Sequence, residues 1–185
     1  MNFVIQNSKV TVQAYEDLEL FEKQLLTQAV AIRDKAYAPY SKFKVGAALL
    51  CERGCVHPGC NVERCSYTQG SHAEQVAVDN VVVSHGAAKI RQIAIVGALA
   101  DQDVEIPHAG NHDRLATPVD YNQVVLPCGH CRQIIWEFCC NDPEVEILSL
   151  TQNGLVVVTT IGSLLPAPFG PEQIGIDIRA QVQTS

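Results

Sequence analysis

The chain has 185 residues, of which 47% are apolar and 18% charged, and a formal net charge of −7. This length supports one hydrophobic core and the composition excludes a disordered or fibrous protein, so we expect a single domain over residues 1–185. Proteins that wrap long nucleic acids usually carry a basic surface. The acidic charge, with no cluster of Lys and Arg, therefore predicts a small-molecule ligand and no nucleic-acid partner.

The chain contains eight cysteines, a number that first suggests a disulfide framework. Residues 1–9, however, lack the basic and long apolar regions of a signal peptide, and no apolar run is long enough to span a membrane. Cysteines in such a sequence are more often buried thiols or metal ligands than disulfides. We therefore expect a cytoplasmic protein with no membrane partner.

The hydrophobic pattern predicts helices and strands in alternation. Apolar residues at helical spacing from Leu18 to Ile32 predict a first helix that Pro39 stops, and Gly54 predicts a hairpin turn. The helix that starts at His72 is apolar almost all round, so we expect it to be buried on every side. In chain order, the predicted elements are a helix over 15–36, strands over 43–50 and 56–62, a helix over 72–84, a strand over 90–99, a helix over 128–139, strands over 145–150 and 155–161, and a short helix that begins near Ser163.

This order of elements predicts an α/β fold, a three-layer α/β/α sandwich around a mixed central sheet of about five strands. No element is predicted after Phe169 or for the polar residues 101–123, and loops of that length in compact domains are often functional. His108 and His112 are expected to be solvated loop histidines and not a second metal site, because Pro107 opposes a helical pair.

Two short segments carry residues suited to chemistry: 72–74 (HAE) and 127–131 (PCGHC), each at the start of a predicted buried helix. Helix residues three apart lie on adjacent faces, so two thiolates in a first turn can hold one ion. A helix N-terminus also favours negative charge. Taken singly, these residues fit an ordinary helix start and two core thiols. If the two helix starts face each other, however, three side chains surround one metal ion: His72, Cys128 and Cys131.

Sulfur and imidazole ligands together select zinc, so we expect one Zn²⁺ per chain. Three protein ligands leave a fourth position for water, which is the catalytic arrangement, whereas a structural site is closed by four. Glu74 lies next to the ligands without being one, and such a carboxylate can take a proton from a water whose pKa the metal lowers. The sequence thus predicts Glu74 as the catalytic acid–base.

An H-x-E segment followed by P-C-x-x-C is the signature of zinc nucleobase deaminases. The segments 38–43 (APYSKF), 59–63 (GCNVE) and 164–169 (LLPAPF) are similar to motifs of the cytidine deaminases, and the resemblance extends from about Leu18 to Phe169. It implies hydrolytic deamination of cytidine or deoxycytidine to uridine or deoxyuridine, with release of ammonia, in pyrimidine salvage. It also implies a homo-oligomer: the His ligand and Gln75 resemble a dimeric branch and the chain length a tetrameric branch.

The same resemblance implies how the substrate is bound and converted. Water attacks C4 of cytosine while Glu74 moves protons from the water to N3 and then to the leaving ammonia. The family pattern assigns substrate contacts to five positions: Phe43 in the pocket wall, Asn61 and Glu63 on the ribose hydroxyls, the backbone N–H of Ala73 on the O2 carbonyl, and Phe169 over the base, often from a neighbouring subunit.

Several alternatives stay open at this point. Another zinc deaminase, of the blasticidin, deoxycytidylate, guanine or RNA type, shares the zinc signature but generally lacks the ribose pair and the C-terminal segment. A non-catalytic zinc or nucleoside-binding protein has no use for Glu74. Asn61 and Glu63 could form only a turn and a solvated charge, and Phe43 and Phe169 could be core residues.

Two further expectations concern charge and thiols. A nucleoside 5′-monophosphate is predicted to be a poor substrate, because Glu63 repels phosphate and no basic group is evident near the motifs. The remaining cysteines are expected to be buried or incidental thiols: Cys51, Cys55, Cys60, Cys65, Cys139 and Cys140.

Overall fold

The structure is a computed structural model that describes residues 10–107, 119 and 123–183. Two predictions concern residues outside this part of the chain. One is the absence of a signal peptide from residues 1–9, and the other is the solvated pair His108 and His112. The described part of the chain has no helix that is long and apolar enough to cross a bilayer. The elements are β1 (Val10–Ala14), α1 (Leu20–Arg33), β2 (Phe43–Cys51), β3 (Val56–Cys60), α2 (Ala73–His85), β4 (Ile90–Leu99), α3 (Gly129–Phe138), β5 (Glu146–Leu150), β6 (Leu155–Thr160), α4 (Ile161–Leu164) and α5 (Ile178–Gln183).

Six strands form one mixed sheet in the order β1-β6-β5-β4-β2-β3. The pair β4–β5 is parallel, and the other neighbouring strands are antiparallel. The predicted mixed sheet is therefore confirmed, with β1 as the strand that the sequence pattern missed. β1 pairs with β6 from Val10↔Thr159 to Ala14↔Leu155, and it has only one fully buried residue, so it lacks the apolar run by which a strand is recognised.

Helices cover both faces of the sheet, as the three-layer prediction requires. Side chains alternate between the two faces along a strand, and β4 shows this clearly. Ala94 and Val96 belong to the core beneath α1, whereas Ile93 and Ile95 belong to the core shared with α2 and α3. The helices α2 and α3, whose starts carry the predicted metal ligands, thus lie on the same side of the sheet.

The first helix is shorter than predicted. α1 begins after Glu19, whose backbone N–H donates to the Glu22 carboxylate at 2.8 Å in a capping box. Leu18 precedes this cap and is buried without being helical. The predicted bounds 15–36 were therefore wrong at both ends, because burial at helical spacing also occurs outside the helix.

α2 is not buried on every side, and that prediction was wrong. Its buried side chains face the sheet and α3, whereas Val82 and Val83 are 41% and 84% exposed. Apolar composition shows that a side chain gains by leaving water, but it does not show which neighbour covers it. An apolar surface on the outer side of α2 is left uncovered within the described chain.

β3 and α2 approach each other so closely at Gly59 that no side chain fits between them. A Cβ built at Gly59 lies 2.3 Å from the carbonyl oxygen of Ala73 and 2.4 Å from the backbone nitrogen of Ala77. Both contacts are with the backbone of the first turns of α2. Gly59 therefore sets the position of the helix end that carries His72 and Glu74.

We expect Gly59→Ala to lower the free energy of unfolding by about 3 kcal/mol or more, because a clash with backbone atoms cannot be relieved by rotating a side chain. Denaturant unfolding measures the change. Gly129→Ala is the matched control, since a Cβ at Gly129 meets nothing within 4 Å. Equal stability of the two variants would contradict the close approach.

The end of β4 is held by Arg33, which is 4% exposed. Its Nη2 donates to the carbonyl oxygens of Leu99 and Gln102, both at 2.8 Å. Hydrogen bonds from a charged donor are stronger than neutral ones. Arg33 thereby fixes the point at which the chain leaves the sheet on its way to α3.

Candidate metal centre and substrate pocket

The N-termini of α2 and α3 meet on one side of the sheet. His72 is the N-cap residue of α2 and Cys128 is the N-cap residue of α3, and both have extended backbone conformations. Cys131 lies in the first turn of α3. An N-cap side chain lies next to the free N–H groups of the first turn, so all three side chains reach the same small volume.

The three side chains have the spacing of a metal site. His72 Nδ1 lies 3.4 Å from Cys128 Sγ and 3.3 Å from Cys131 Sγ, and the two sulfur atoms are 3.5 Å apart. Tetrahedral zinc with bonds of about 2.0–2.3 Å places its ligand atoms about 3.5–3.8 Å apart. The observed triangle differs from this by a few tenths of an ångström, so the residues present fit one zinc ion.

The electrostatics of Cys131 also favour a cation. Burial, and then the nearby Glu74 carboxyl group, raise the pKa of the Cys131 thiol. A thiolate at this position therefore needs a positive charge beside it, which a divalent metal supplies. The N-termini of both helices add partial positive charge.

Glu74 is 5% exposed and lies in the first turn of α2, within interaction range of Cys131. Among the described residues, the set of ligand atoms that lie within 4.8 Å of one another comprises His72, Cys128 and Cys131. Glu74 therefore stands beside the triangle and not in it. This is where a carboxylate can exchange protons with a molecule bound in front of the metal ligands.

A cavity of about 420 Å³ opens in front of Glu74, a size that fits a small ligand. Its walls come from Ser41 and the start of β2, from the segment 61–71 that follows β3, and from the start of α2. Five of the predicted substrate and catalytic residues line it together with His72: Phe43, Asn61, Glu63, Ala73 and Glu74.

Asn61 joins the end of β3 to the start of β2 through its side chain. Its Oδ1 accepts from the N–H of Val45 at 2.8 Å, and its Nδ2 donates to the carbonyl of Phe43 at 2.9 Å. One lone pair and one N–H of the amide are left for a ligand. Asn61 therefore shapes the pocket and still has polar atoms to offer inside it.

Glu63 holds the turn that precedes β2. Its carboxylate accepts from the N–H of Tyr40 at 2.8 Å and from the N–H of Ser41 at 3.2 Å. A hydrogen bond with the Ser41 side chain, followed by these backbone bonds, lowers the pKa of Glu63 against the opposing effect of burial. Glu63 is thus an ionised carboxylate that already accepts hydrogen bonds from the protein backbone, and not a freely solvated charge.

The two predicted aromatic contacts differ in position. Phe43 is half-exposed and lines the cavity. Phe169 is 59% exposed and lines a separate depression with Ile174 and Ile176. The chain therefore brings Phe43, but not its own Phe169, to the pocket.

Arg64 also lines the cavity, which corrects the statement that no basic group lies near these motifs. Its Nη1 donates to the carbonyl of Gln69 and to Ser71 Oγ, the latter at 3.1 Å. The position of Arg64 near the pocket could have been predicted, since Arg64 directly follows Glu63 in the sequence. One of the two reasons for expecting poor activity on a 5′-monophosphate therefore no longer holds.

Arg132 and Gln133 are two further residues to which the sequence assigned no role. Arg132 Nε donates to the carbonyl of Pro127 at 2.7 Å and Nη1 to that of Leu164 at 2.9 Å. Gln133 Nε2 donates to the carbonyl of Phe169 at 2.6 Å. These bonds fasten the C-terminal segment to the helix that carries the thiols.

The other six cysteines are free thiols. They differ in burial, so some of them fit the expectation of buried thiols and the others that of incidental thiols. Cys51, Cys139 and Cys140 are buried, Cys60 is half-buried, and Cys55 and Cys65 are exposed.

The comparisons with known proteins all indicate the same family. The family model of the cytidine and deoxycytidylate deaminase zinc-binding region matches residues 21–146. A cytidine deaminase of Sporosarcina psychrophila is 36% identical over 152 residues, which are 82% of this chain and 93% of that protein. One of Halalkalibacterium halodurans is 33% identical over 152 residues, 82% of this chain and 96% of that protein.

A solved structure agrees with these sequence matches. The crystal structure of cytidine deaminase from Burkholderia pseudomallei superposes with a TM-score of 0.61 at 36% identity, over 80% of this chain and 98% of that one. The family-model match over residues 21–146 contains both helix starts that carry the predicted ligands. This chain belongs to the cytidine and deoxycytidylate deaminase zinc-binding family.

Proposed function

We propose that the protein is a zinc-dependent hydrolase that converts cytidine or deoxycytidine to uridine or deoxyuridine with release of ammonia. The observation that carries the proposal is the triangle of one imidazole and two thiol groups beside a buried carboxylate that is not part of it. A structural zinc site has no need of that carboxylate or of the cavity in front of it. The names of the similar proteins support cytidine as the substrate.

His72, Cys128 and Cys131 would hold the zinc ion, which when bound would supply a Lewis acid that lowers the pKa of a water molecule toward about 7. Glu74 accepts a proton from the attacking water and delivers it to N3 of the pyrimidine. The C4–O bond forms in this first step. Glu74 then moves the second proton of the added water to the amino group at C4, and the C4–N bond breaks as ammonia leaves and the C4 carbonyl forms. We assign the contact to the O2 carbonyl to the backbone N–H of Ala73, because Ala73 lines the cavity and belongs to the first turn of α2, whose N–H groups have no partner within the helix.

The test of this function is ammonia release by the purified, zinc-loaded protein. We expect turnover of cytidine and deoxycytidine, and none of guanine or adenosine, which represent the rival deaminases. Cytidine 5′-monophosphate and deoxycytidylate belong in the same series, because Arg64 lies at the pocket. Absence of ammonia with both nucleosides would contradict the proposal, and turnover of guanine alone would favour a guanine deaminase.

The ribose assignment predicts a specific effect of Glu63→Ala. We expect kcat/KM for cytidine to fall by about tenfold or more, because charged hydrogen bonds to the sugar are lost. The loss for free cytosine should be much smaller, since cytosine has no sugar. Steady-state kinetics on both substrates measure the ratio.

Ser41→Ala is the control for this variant, because Glu63 also holds the turn before Phe43. Ser41→Ala removes the side-chain bond to Glu63 but keeps the carboxylate, which still accepts from the backbone N–H groups of Tyr40 and of residue 41. We expect it to affect cytidine and cytosine to the same degree. Equal losses on base and nucleoside in Glu63→Ala would mean that Glu63 acts only through the turn.

We also propose that the chain acts as a single domain and assembles into a homo-oligomer, either a dimer or a tetramer. The uncovered side chains of Val83 on α2 and of Phe169 and Ile174 near the C-terminus support this, because such exposed apolar groups are usually covered by a partner. Light scattering on the purified protein gives the number of subunits. The free state of all eight cysteines supports a reducing, cytoplasmic environment, and the acidic charge supports a nucleoside partner without nucleic acid or membrane.

A further inference from the structure

The segment that leads into Cys128 is held by the sheet through a buried hydroxyl group. Ser149 of β5 is fully buried, and its Oγ donates to the carbonyl oxygen of Val125 at 2.8 Å. Ser149 lies beside Ile95 of β4 in the parallel strand pair. The first metal-binding thiol is thus three residues from a carbonyl group that is fixed to the sheet.

The side chain of Val125 rests on β4 at Gly97. A Cβ built at Gly97 lies 3.0 and 3.1 Å from the two methyl carbons of Val125 and 3.1 Å from Cε1 of Phe43. Gly97 is opposite Val45 in the β2–β4 pair, and Val45 and Phe43 both line the pocket. The wall of the pocket and the lead-in to the metal helix therefore meet over one glycine.

We propose that Ser149 and Gly97 are positioning residues, which act through Val125 to set the distance between the metal ligand Cys128 and the pocket wall at Phe43. This inference rests on the proposed deaminase function and extends it to two residues that touch neither metal ligand nor cavity. Ser149 fixes the backbone of Val125, and Gly97 leaves the space that both Val125 and Phe43 occupy.

The connection from Val125 to Cys128 is stiff enough to transmit a displacement. Pro127 has a fixed φ angle, and its carbonyl oxygen accepts from Arg132 Nε at 2.7 Å. Fewer rotations are therefore available between Val125 and Cys128 to absorb a shift of Val125. The same shift changes the room that Phe43 has above Gly97.

The first experiment compares Ser149→Ala with Thr151→Val. Thr151 is also fully buried, and its hydroxyl bonds to the backbone of Leu155 at the turn between β5 and β6 and not to the segment that leads into Cys128. Both variants lose a buried hydroxyl and should lose stability. Only Ser149→Ala should release zinc faster, by about five- to tenfold, which is below the 10–100-fold typical for a group bonded directly to a ligand.

Zinc release is followed with a chromophoric chelator, so the measurement does not depend on activity. Turnover gives a second comparison: Ser149→Ala should lower kcat with little change in KM for cytidine. Equal zinc release rates in Ser149→Ala and Thr151→Val would overturn the role of Ser149. Failure of the wild-type protein to deaminate any pyrimidine nucleoside would instead count against the proposed function.

The second experiment uses Gly97→Ala alone and combined with Val125→Ala. The added methyl group should push Phe43 and Val125 apart from β4 and raise KM for cytidine by about fivefold or more. The double variant removes the two methyl groups that the new Cβ meets, so it should recover part of this loss. A KM in the double variant that is at least as high as in Gly97→Ala would overturn the coupling through Val125.

Discussion

Replacing Glu74 by Gln is expected to lower kcat by about 10²–10⁴-fold, the range typical of lost general acid–base catalysis, while the zinc content stays unchanged. Gln has the size of Glu but cannot accept and return a proton. Glu74 is buried in the first turn of α2 and borders the cavity, so no bulk water can replace it efficiently. Turnover of cytidine and metal analysis of the same preparation measure the two quantities.

Asp79→Asn is the matched control for Glu74→Gln. It makes the same change from acid to amide on the same helix, at an exposed residue, and should leave kcat unaltered. A zinc-replete Glu74→Gln protein whose kcat is within about threefold of wild type would remove Glu74 from the mechanism.

Removing both thiols, in the Cys128→Ala, Cys131→Ala double variant, is expected to abolish zinc binding and turnover together. One imidazole cannot hold zinc in competition with water, because the affinity of such sites comes from several ligands that act on one ion. The protein should also unfold at a lower temperature, since the metal no longer joins α2 to α3. Metal analysis and thermal unfolding measure these effects.

Cys139→Ala provides the control for a lost thiol on α3. Cys139 lies at the opposite end of the helix from Cys128, and among the described residues it does not belong to the set of ligand atoms that lie within 4.8 Å of one another. This variant should keep about one zinc per chain. Stoichiometric zinc in the double variant would refute the site.

The fold could be predicted where a residue pattern has one structural solution. The apolar run of β4 coincides with Ile90–Leu99, and the hairpin between β2 and β3 turns at Gly54 with a φ of 78°, a value that glycine adopts without strain. β1 could not be predicted in this way. Its pairing partner β6 is about 145 residues away along the chain, and a half-exposed edge strand of five residues has little pattern of its own.

For the site, too, features that depend on neighbouring residues in the sequence could be predicted, whereas features that depend on distant residues could not. The metal ligands and Glu74 could be proposed from the sequence because helix starts and short spacings are local properties of it. The bonds of Glu63 to the turn before β2 and of Ser149 to the Val125 carbonyl depend on which segments become neighbours in the fold. Such contacts exist only after the sheet has formed, so no sequence motif predicts them.

Two buried side chains anchor the two ends of the connection between β4 and α3. Arg33 fixes the departure from the sheet at Leu99 and Gln102, and Ser149 fixes the return at Val125. Each end of the connection is held by its own buried side chain, independently of the residues between the two anchors. A change of sequence between the anchors is therefore expected to leave the position of Cys128 unaltered.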